Sequence, residues 1–292
     1  MAVHRILGVL AGLGLLATGA FAAAGHPEPW QLGLQDAATP VAESIHALHN
    51  WLLVIITVIT LFVLALLLYI IVKFNAKANP VPSKTTHNSL LEVLWTVIPI
   101  IILVVIAIPS FRLLYFQRNI PVADMTIKAI GNPSWNWTYE YPDLGLAEDG
   151  SAKVNFTASM LTEDEANKKG APYLLASDSP VVVPVNKVVK MIITSDPEGI
   201  IHAWTIPSFG MKIDAVPGRL NEDWFQATKE GIFYGQCSEL CGKDHAFMPI
   251  EVHVVSQAIY DKWAEVAKTQ GVDEANQTLA ALELAQSQTA QK

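Results

Sequence analysis

The sequence predicts a membrane-anchored all-β protein, in which a two-helix transmembrane hairpin carries an exported β-sandwich or barrel. Three observations predict it. Two uncharged apolar spans lie at residues 51–72 and within 93–111; beyond residue 125 apolar side chains recur with a period of two; and both cysteines of the 292-residue chain fall in one short loop between two such segments. Hydrophobic residues make up 51% of the chain and charged residues 16%, against about 25% charged in ordinary soluble domains. The shortage of charge is local, which is the mark of membrane segments.

The first 22 residues read as an export signal. Arg5 is the charged start, residues 6–21 are apolar and broken by small side chains, and Ala20-Phe21-Ala22 has the small-x-small form of a cleavage site. Residues 23–45 follow as a polar lead-in on the far side of the membrane. They contain Pro27, Pro29 and Pro40 and three acids, with no lysine or arginine.

Residues 46–115 form the hairpin. The stretch 51–72 has no charge and at about 1.5 Å per residue reaches roughly 33 Å, enough for a bilayer core. A polar link with Lys73, Lys77, Lys84, Pro80 and Pro82 leads to a second span over 93–114, which carries Pro99 and Pro109 and is closed by Arg112. Positive links stay in the cytoplasm, so both termini and the following domain are expected outside. Glu92 opens the second span. A carboxylate there is favoured by the helix N-terminus, and on the residues alone that interfacial reading outweighs a role as proton acceptor.

From residue 125 the pattern becomes that of strands. Candidates are 125–130, 181–185, 188–194, 200–206, 224–228, 232–236 and 250–255, divided by Gly, Pro, Asn and Asp. Trp135, Trp137, Tyr139 and Tyr141 alternate with polar residues, so one face of that segment is aromatic. Such a face packs on a core, or leaves one ring exposed for electron entry. Residues 143–177 are acidic and irregular, an excursion from the sheet. From residue 257 the chain turns helical, and 266–292 is expected as a polar, mobile tail. Beyond residue 115 there are 23 Asp/Glu against 14 Lys/Arg, a balance of −9. Such a surface repels nucleic acid, which is excluded as a partner, and attracts basic proteins.

The chemistry lies in Cys237-x3-Cys241-x3-His245-x2-Met248. Thiolate, imidazole and thioether together suit copper. A disulfide between Cys237 and Cys241 is the simplest alternative, but it leaves His245 and Met248 unexplained. Zinc is a second, yet it has little use for a thioether. A mononuclear copper site needs only one thiolate, whereas two in one loop can bridge two metals. Another imidazole must then come from His202, set in an apolar strand, or His253, which alternates onto a face expected to be solvated. A membrane-anchored copper carrier, a copper-delivery protein and a disulfide-stapled sandwich remain rival readings.

Several stretches together resemble subunit II of the bacterial haem–copper cytochrome c oxidases. They are Asn88-Ser89-Leu90-Leu91-Glu92-Val93-Leu94-Trp95-Thr96, the aromatic run from Trp135, Ile201-His202-Ala203-Trp204-Thr205-Ile206-Pro207, Asp214-Ala215-Val216-Pro217-Gly218-Arg219, and the whole cysteine loop. The resemblance covers roughly residues 51–263. It departs from the family in Asn132-Pro133-Ser134, where His-Gln is frequent, and in the small insertion Asp196-Pro197-Glu198-Gly199.

The resemblance implies a cupredoxin-like Greek-key domain over 116–265 that accepts electrons from cytochrome c at a dinuclear copper A centre. It passes them to the oxygen-reducing site in subunit I of this proton-translocating oxidoreductase. Cys237 and Cys241 would bridge the coppers, with His202, His245, Met248 and the Glu239 carbonyl as further ligands. The Glu239 carboxylate would reach a magnesium ion shared with subunit I. Trp135 would be the electron entry and Glu92 the mouth of a proton channel, reversing the interfacial reading. Glu140, Asp178, Asp196 and Glu198 would dock cytochrome c, and Asp214 and Arg219 would meet subunit I. Other oxidase subunits and the lipid bilayer are further partners, and the place is the bacterial inner membrane with the domain and both termini in the periplasm.

Overall fold

The computed structural model describes residues 25–290, so the export signal expected over residues 1–22 lies outside the described residues. Helix α1 runs Pro40–Lys73 and helix α2 Ser89–Arg118. Thr39 starts α1: its hydroxyl accepts from the Ala42 amide at 3.0 Å, with proline at the first helical position. Asn88 starts α2 by accepting from the Leu90 and Leu91 amides. At 34 residues α1 is about 51 Å long, well beyond a bilayer core of about 30 Å. Its first turns therefore project from the membrane, which is where the polar residues Glu43, Ser44, His46 and His49 fall. Pro99 and Pro109 lie inside α2; each removes an amide from the helix ladder and bends it.

The projecting ends grip the domain. The Thr39 hydroxyl donates to the Phe209 carbonyl at 2.7 Å, and the Ala38 amide to Ser208 at 2.8 Å. At the end of α2 the Trp224 indole N–H donates to the Gln117 carbonyl at 3.0 Å, and Phe116 meets the same ring edge-on at 5.7 Å. The lead-in is thus partly buried, with Ala38 and Thr39 fully enclosed.

Ten strands build the domain: β1 Met125–Gly131, β2 Trp137–Glu140, β3 Asn155–Ala158, β4 Val181–Pro184, β5 Val188–Ser195, β6 His202–Ile206, β7 Met211–Ala215, β8 Asn221–Gln226, β9 Gly231–Gln236 and β10 Pro249–Val255. They form sheets of order β3-β2-β1-β5-β8, β4-β10-β9 and β6-β7. β1 pairs parallel with β5 and β4 parallel with β10; the other pairs are antiparallel. One core joins Ile127, Met191 and Ile193 of the first sheet to Val181, Val252 and Phe233 of the second and Trp204 of the third. All the expected strands occur. Two were not expected: β3, in the excursion beside the short helix α3 Glu163–Lys169, and β7, whose Met-Lys-Ile-Asp-Ala carries charge on its outer face.

The C-terminus differs from the expected mobile tail. Helix α4 Gln257–Thr269 is followed by α5 Val272–Ala290. Trp263 of α4 is fully buried against Tyr141, with ring centroids 5.3 Å apart, and its N–H donates to Asn276 of α5. Ala275 and Leu279 enter the same core. The polar composition of this stretch hid a narrow buried stripe, enough to dock a helix. His253 is also not on a solvated face. It is 8% exposed, and its two ring nitrogens lie 2.8 Å from the carboxylates of Glu251 and of Glu283 on α5. Helix α5 covers the face that strand alternation alone would leave to water.

Burial by itself would lower the pKa of His253, but its bonds to Glu251 and Glu283 outweigh burial and raise it from 6.5 to about 9. Both carboxylates also act on Tyr234 of β9. A histidine raised in the fold contributes fully below its unfolded pKa, and the contribution fades as pH climbs through the folded value. Docking of α5 should therefore weaken between about pH 6.5 and about pH 9. Amide exchange at Ala275 and Leu279, corrected for the intrinsic rate, should accelerate across that window in the native chain and not in His253→Gln. Protection that stays flat in the native chain would remove the latch.

Candidate metal centre

The loop between β9 and β10 is clamped at its base. The Cys237 amide donates to the Met248 carbonyl at 3.0 Å, and the Ser238 amide to Ala203 of β6 at 3.1 Å. The second bond ties the loop to the strand that carries His202. Through it a residue 35 positions earlier in the chain joins the loop: Cys237 Sγ lies 3.8 Å from His202 Nδ1. Cys241 Sγ lies 3.7 Å from Cys237 Sγ and 3.3 Å from His245 Nδ1. The Glu239 carbonyl stands 3.4 Å from Cys237 Sγ. Met248 is fully buried where the loop enters β10.

Both cysteines are free and buried, so the loop holds no disulfide. Burial, and then the neighbouring Cys237 thiol, push Cys241 up to about 12. A thiol in that condition gives up its proton far more readily when a cation takes its place. Burial likewise lowers the pKa of His202, which keeps its imidazole neutral, the form that binds a metal. His202, Cys237 and Cys241 present donor atoms all within 4.8 Å of one another. The residues brought together are thus His202, Cys237, Cys241 and His245, with the Glu239 carbonyl alongside and the Met248 backbone bonded to the Cys237 amide. His253 is elsewhere, in its own carboxylate cluster.

The aromatic run divides in two. Trp137, Tyr139 and Tyr141 are fully buried. Trp135 precedes β2 with φ 57, and this left-handed turn swings it off the strand and onto the loop. It is half-buried, its N–H donates to the Cys241 carbonyl at 2.9 Å, and Lys243 lies 5.5 Å from its ring centroid. Gly242 makes the contact possible. Its φ of 109 suits glycine, and a Cβ there would stand 3.2 Å from the Trp135 ring. Neither Gly242 nor the Cys241 carbonyl was anticipated from the sequence, since both depend on a segment more than 100 residues away.

Among the acids, Glu140 is paired with Lys128 at 3.1 Å, and Asp178 is exposed but accepts from the Ser159 amide at 2.8 Å. Asp196 and Glu198 occupy the turn between β5 and β6, at the end of the sheet where β1 leads into the Trp135 turn. The Glu239 side chain is half-buried. Glu92 lies in the first turn of α2, at the opposite end of the hairpin from the loop. Asp214 and Arg219 line a cleft of about 780 Å³ at the base of the domain, beside Arg118 and Asp223. Burial raises the Asp223 carboxyl to about 6 there, against the opposing pull of the Trp224 amide and the Arg118 charge.

Known proteins are similar to this chain. The family model described as cytochrome c oxidase subunit II, periplasmic domain, matches residues 125–255, and the model of its transmembrane domain matches 27–113. A probable cytochrome c oxidase subunit 2 of Rickettsia bellii is 46% identical over 273 residues, covering 94% of this chain and 97% of the relative. Cytochrome c oxidase subunit 2 of Cereibacter sphaeroides is 48% identical over 253 residues, covering 84% and 82%. The solved periplasmic domain of subunit II of cytochrome oxidase from Bradyrhizobium japonicum is 49% identical, with a TM-score of 0.45, and covers 52% of this chain and 99% of that one. With both family models matching in order, and with the Rickettsia bellii relative 46% identical over 97% of its length, the chain belongs to the subunit II family of the cytochrome c oxidases.

Proposed function

We propose that this subunit is the electron entry of a bacterial terminal oxidase, which accepts electrons from cytochrome c at a dinuclear copper A centre and delivers them to subunit I. The observation that carries the reading is the pair of free, buried thiols 3.7 Å apart, each with an imidazole Nδ1 within 3.8 Å. Metal–thiolate bonds of about 2.3 Å allow one ion to touch both sulfurs. Met248, fully buried and bonded through its carbonyl to the Cys237 amide, offers a thioether from the same loop, a donor that suits copper better than zinc. Bound there, the centre supplies a one-electron store shared over two metals.

Cys237 and Cys241 would bridge, His202 and His245 would each hold one metal, and Met248 and the Glu239 carbonyl would be weak outer ligands. The clamp at the base of the loop holds these groups in place before and after transfer, which keeps rearrangement small. Trp135 offers a conjugated ring joined to the Cys241 carbonyl by one hydrogen bond, a direct path from the surface to a ligand. Glu198 and Asp196, with Glu140 and Asp178, would attract a basic cytochrome c to that end of the domain. The Glu239 carboxylate would reach a magnesium ion shared with subunit I, and the cleft holding Asp214 and Arg219 would face the same partner. Glu92, at the other end of the hairpin, would admit protons from the cytoplasm, with both termini and the copper domain in the periplasm.

Three outcomes follow. The purified chain loaded with copper should carry two coppers and one shared unpaired electron by electron-spin spectroscopy, and Cys241→Ser should lose that signal; one copper or none overturns the reading. Trp135→Gln should slow electron uptake from cytochrome c by more than about tenfold while copper content is kept, and uptake at the native rate removes Trp135 as the entry. Glu92→Gln should lower oxygen turnover of the assembled oxidase severalfold, so turnover at the native rate refutes proton entry there.

A further inference from the structure

The inward face of β1 loses bulk step by step toward the copper end, in the order Met125, Ile127, Ala129, Gly131. A glycine inside a strand weakens it and commonly marks a place where another group comes close. The φ of Gly131 is not positive, so space and not backbone conformation calls for glycine there. The group that comes close is the ring of His202. A Cβ on Gly131 would stand 2.6 Å from His202 Cδ2 and 2.9 Å from Cγ, whereas carbons in contact need about 3.5 Å. The ring cannot swing away as the tip of a long side chain could, because Cβ of the same histidine is only 3.1 Å off.

Trp137 stands directly opposite Gly131 in the β1–β2 register. Its fully buried ring meets the imidazole at 5.9 Å and 62°. The Gly131 carbonyl accepts from the Ser195 hydroxyl at 3.0 Å and from the Asp196 amide at 2.9 Å, which pins this end of β1 to β5. The imidazole therefore has Gly131 as its floor and Trp137 as a wall, and it opens toward Cys237 Sγ.

Metal-bound histidines normally have their ring orientation set by a hydrogen bond to the second nitrogen. His202 Nε2 makes no hydrogen bond of ordinary geometry, although the Asn132 carbonyl acts on the ring. The Asn132 carbonyl holds the ring only loosely, so contact with Gly131 and Trp137 adds to what that bond does in setting the tilt. We propose that Gly131 is a positioning residue for the metal centre: its bare Cα is the floor that sets the tilt of the His202 ring and aims Nδ1 at the thiol pair. The proposal rests on His202 being a metal ligand, and its test separates the two claims.

Thermal unfolding of the full chain without copper is compared for the native protein, Gly131→Ala, His202→Ala and the double variant. Gly131→Ala should lower the midpoint by several degrees in the native background and leave it unchanged once His202→Ala has removed the ring. Should Gly131→Ala alone fail to fold, folding of the double variant supports the contact and its failure overturns the proposal. An equal loss in both backgrounds also overturns it. In copper-loaded, folded Gly131→Ala, the histidine nitrogen couplings in the electron-spin spectrum and the reduction potential should both shift. Native values for both refute positioning even where the stability coupling is present. A native chain that takes up no copper defeats the metal reading instead, and the copper-free comparison still decides the contact.

Discussion

Two thiols must be held 3.7 Å apart, buried and unjoined; the rest of the domain serves that demand. A loop free to move would let such a pair drift apart or oxidise. Here its two ends are bonded to each other through Cys237 and Met248 and to β6 through Ser238. The burial that pushes the Cys241 thiol up to about 12 also makes the site costly without a cation and well matched to one. The sandwich is thus the frame for a group of side chains that would not choose this arrangement on their own.

The same economy governs the membrane attachment. Two helices longer than a bilayer is thick present one end each to the domain, through Thr39 on α1 and through Gln117 and Phe116 on α2. A domain gripped at two points keeps its cysteine loop at a set position relative to the helix ends. At the other side of the sandwich, α5 is held over β10 by Glu283 and His253. Glu251 and His253 are enclosed while Glu283 stays partly exposed, and the pairing of the three is what makes burial of the first two tolerable.

Much of the architecture was legible because its signals are local. The length and apolarity of residues 51–72 and 93–114 and the strand pattern of 188–194 are each set by neighbours in sequence. Strands β3 and β7 were not legible: they are short, partly charged, and are strands because β2 and β6 pair with them. The tail failed for a related reason. Val272–Ala290 looks like solvent-facing helix in composition, yet Ala275 and Leu279 suffice to dock it when Trp263 stands ready.

The site divides along the same line. By itself the sequence determined the donor set of the loop, since Cys237, Cys241, His245 and Met248 lie within 12 residues and their chemistry follows from their identities. The residues of the loop leave its second histidine open; the resemblance named His202, and the tertiary structure puts its Nδ1 3.8 Å from Cys237 Sγ. His202 and His253 both lie in apolar strands and are both buried, so the strand alternation that set His253 on a solvated face misplaced it. The β6–loop bond brings one to Cys237, while α5 draws the other into a carboxylate cluster. Tertiary structure decided that Trp135 leaves the aromatic stripe for the loop and that Gly131 lies beneath an imidazole. These are contacts between segments far apart in the chain, made when the sheets close over one core, and a one-dimensional pattern carries no distance across that closure.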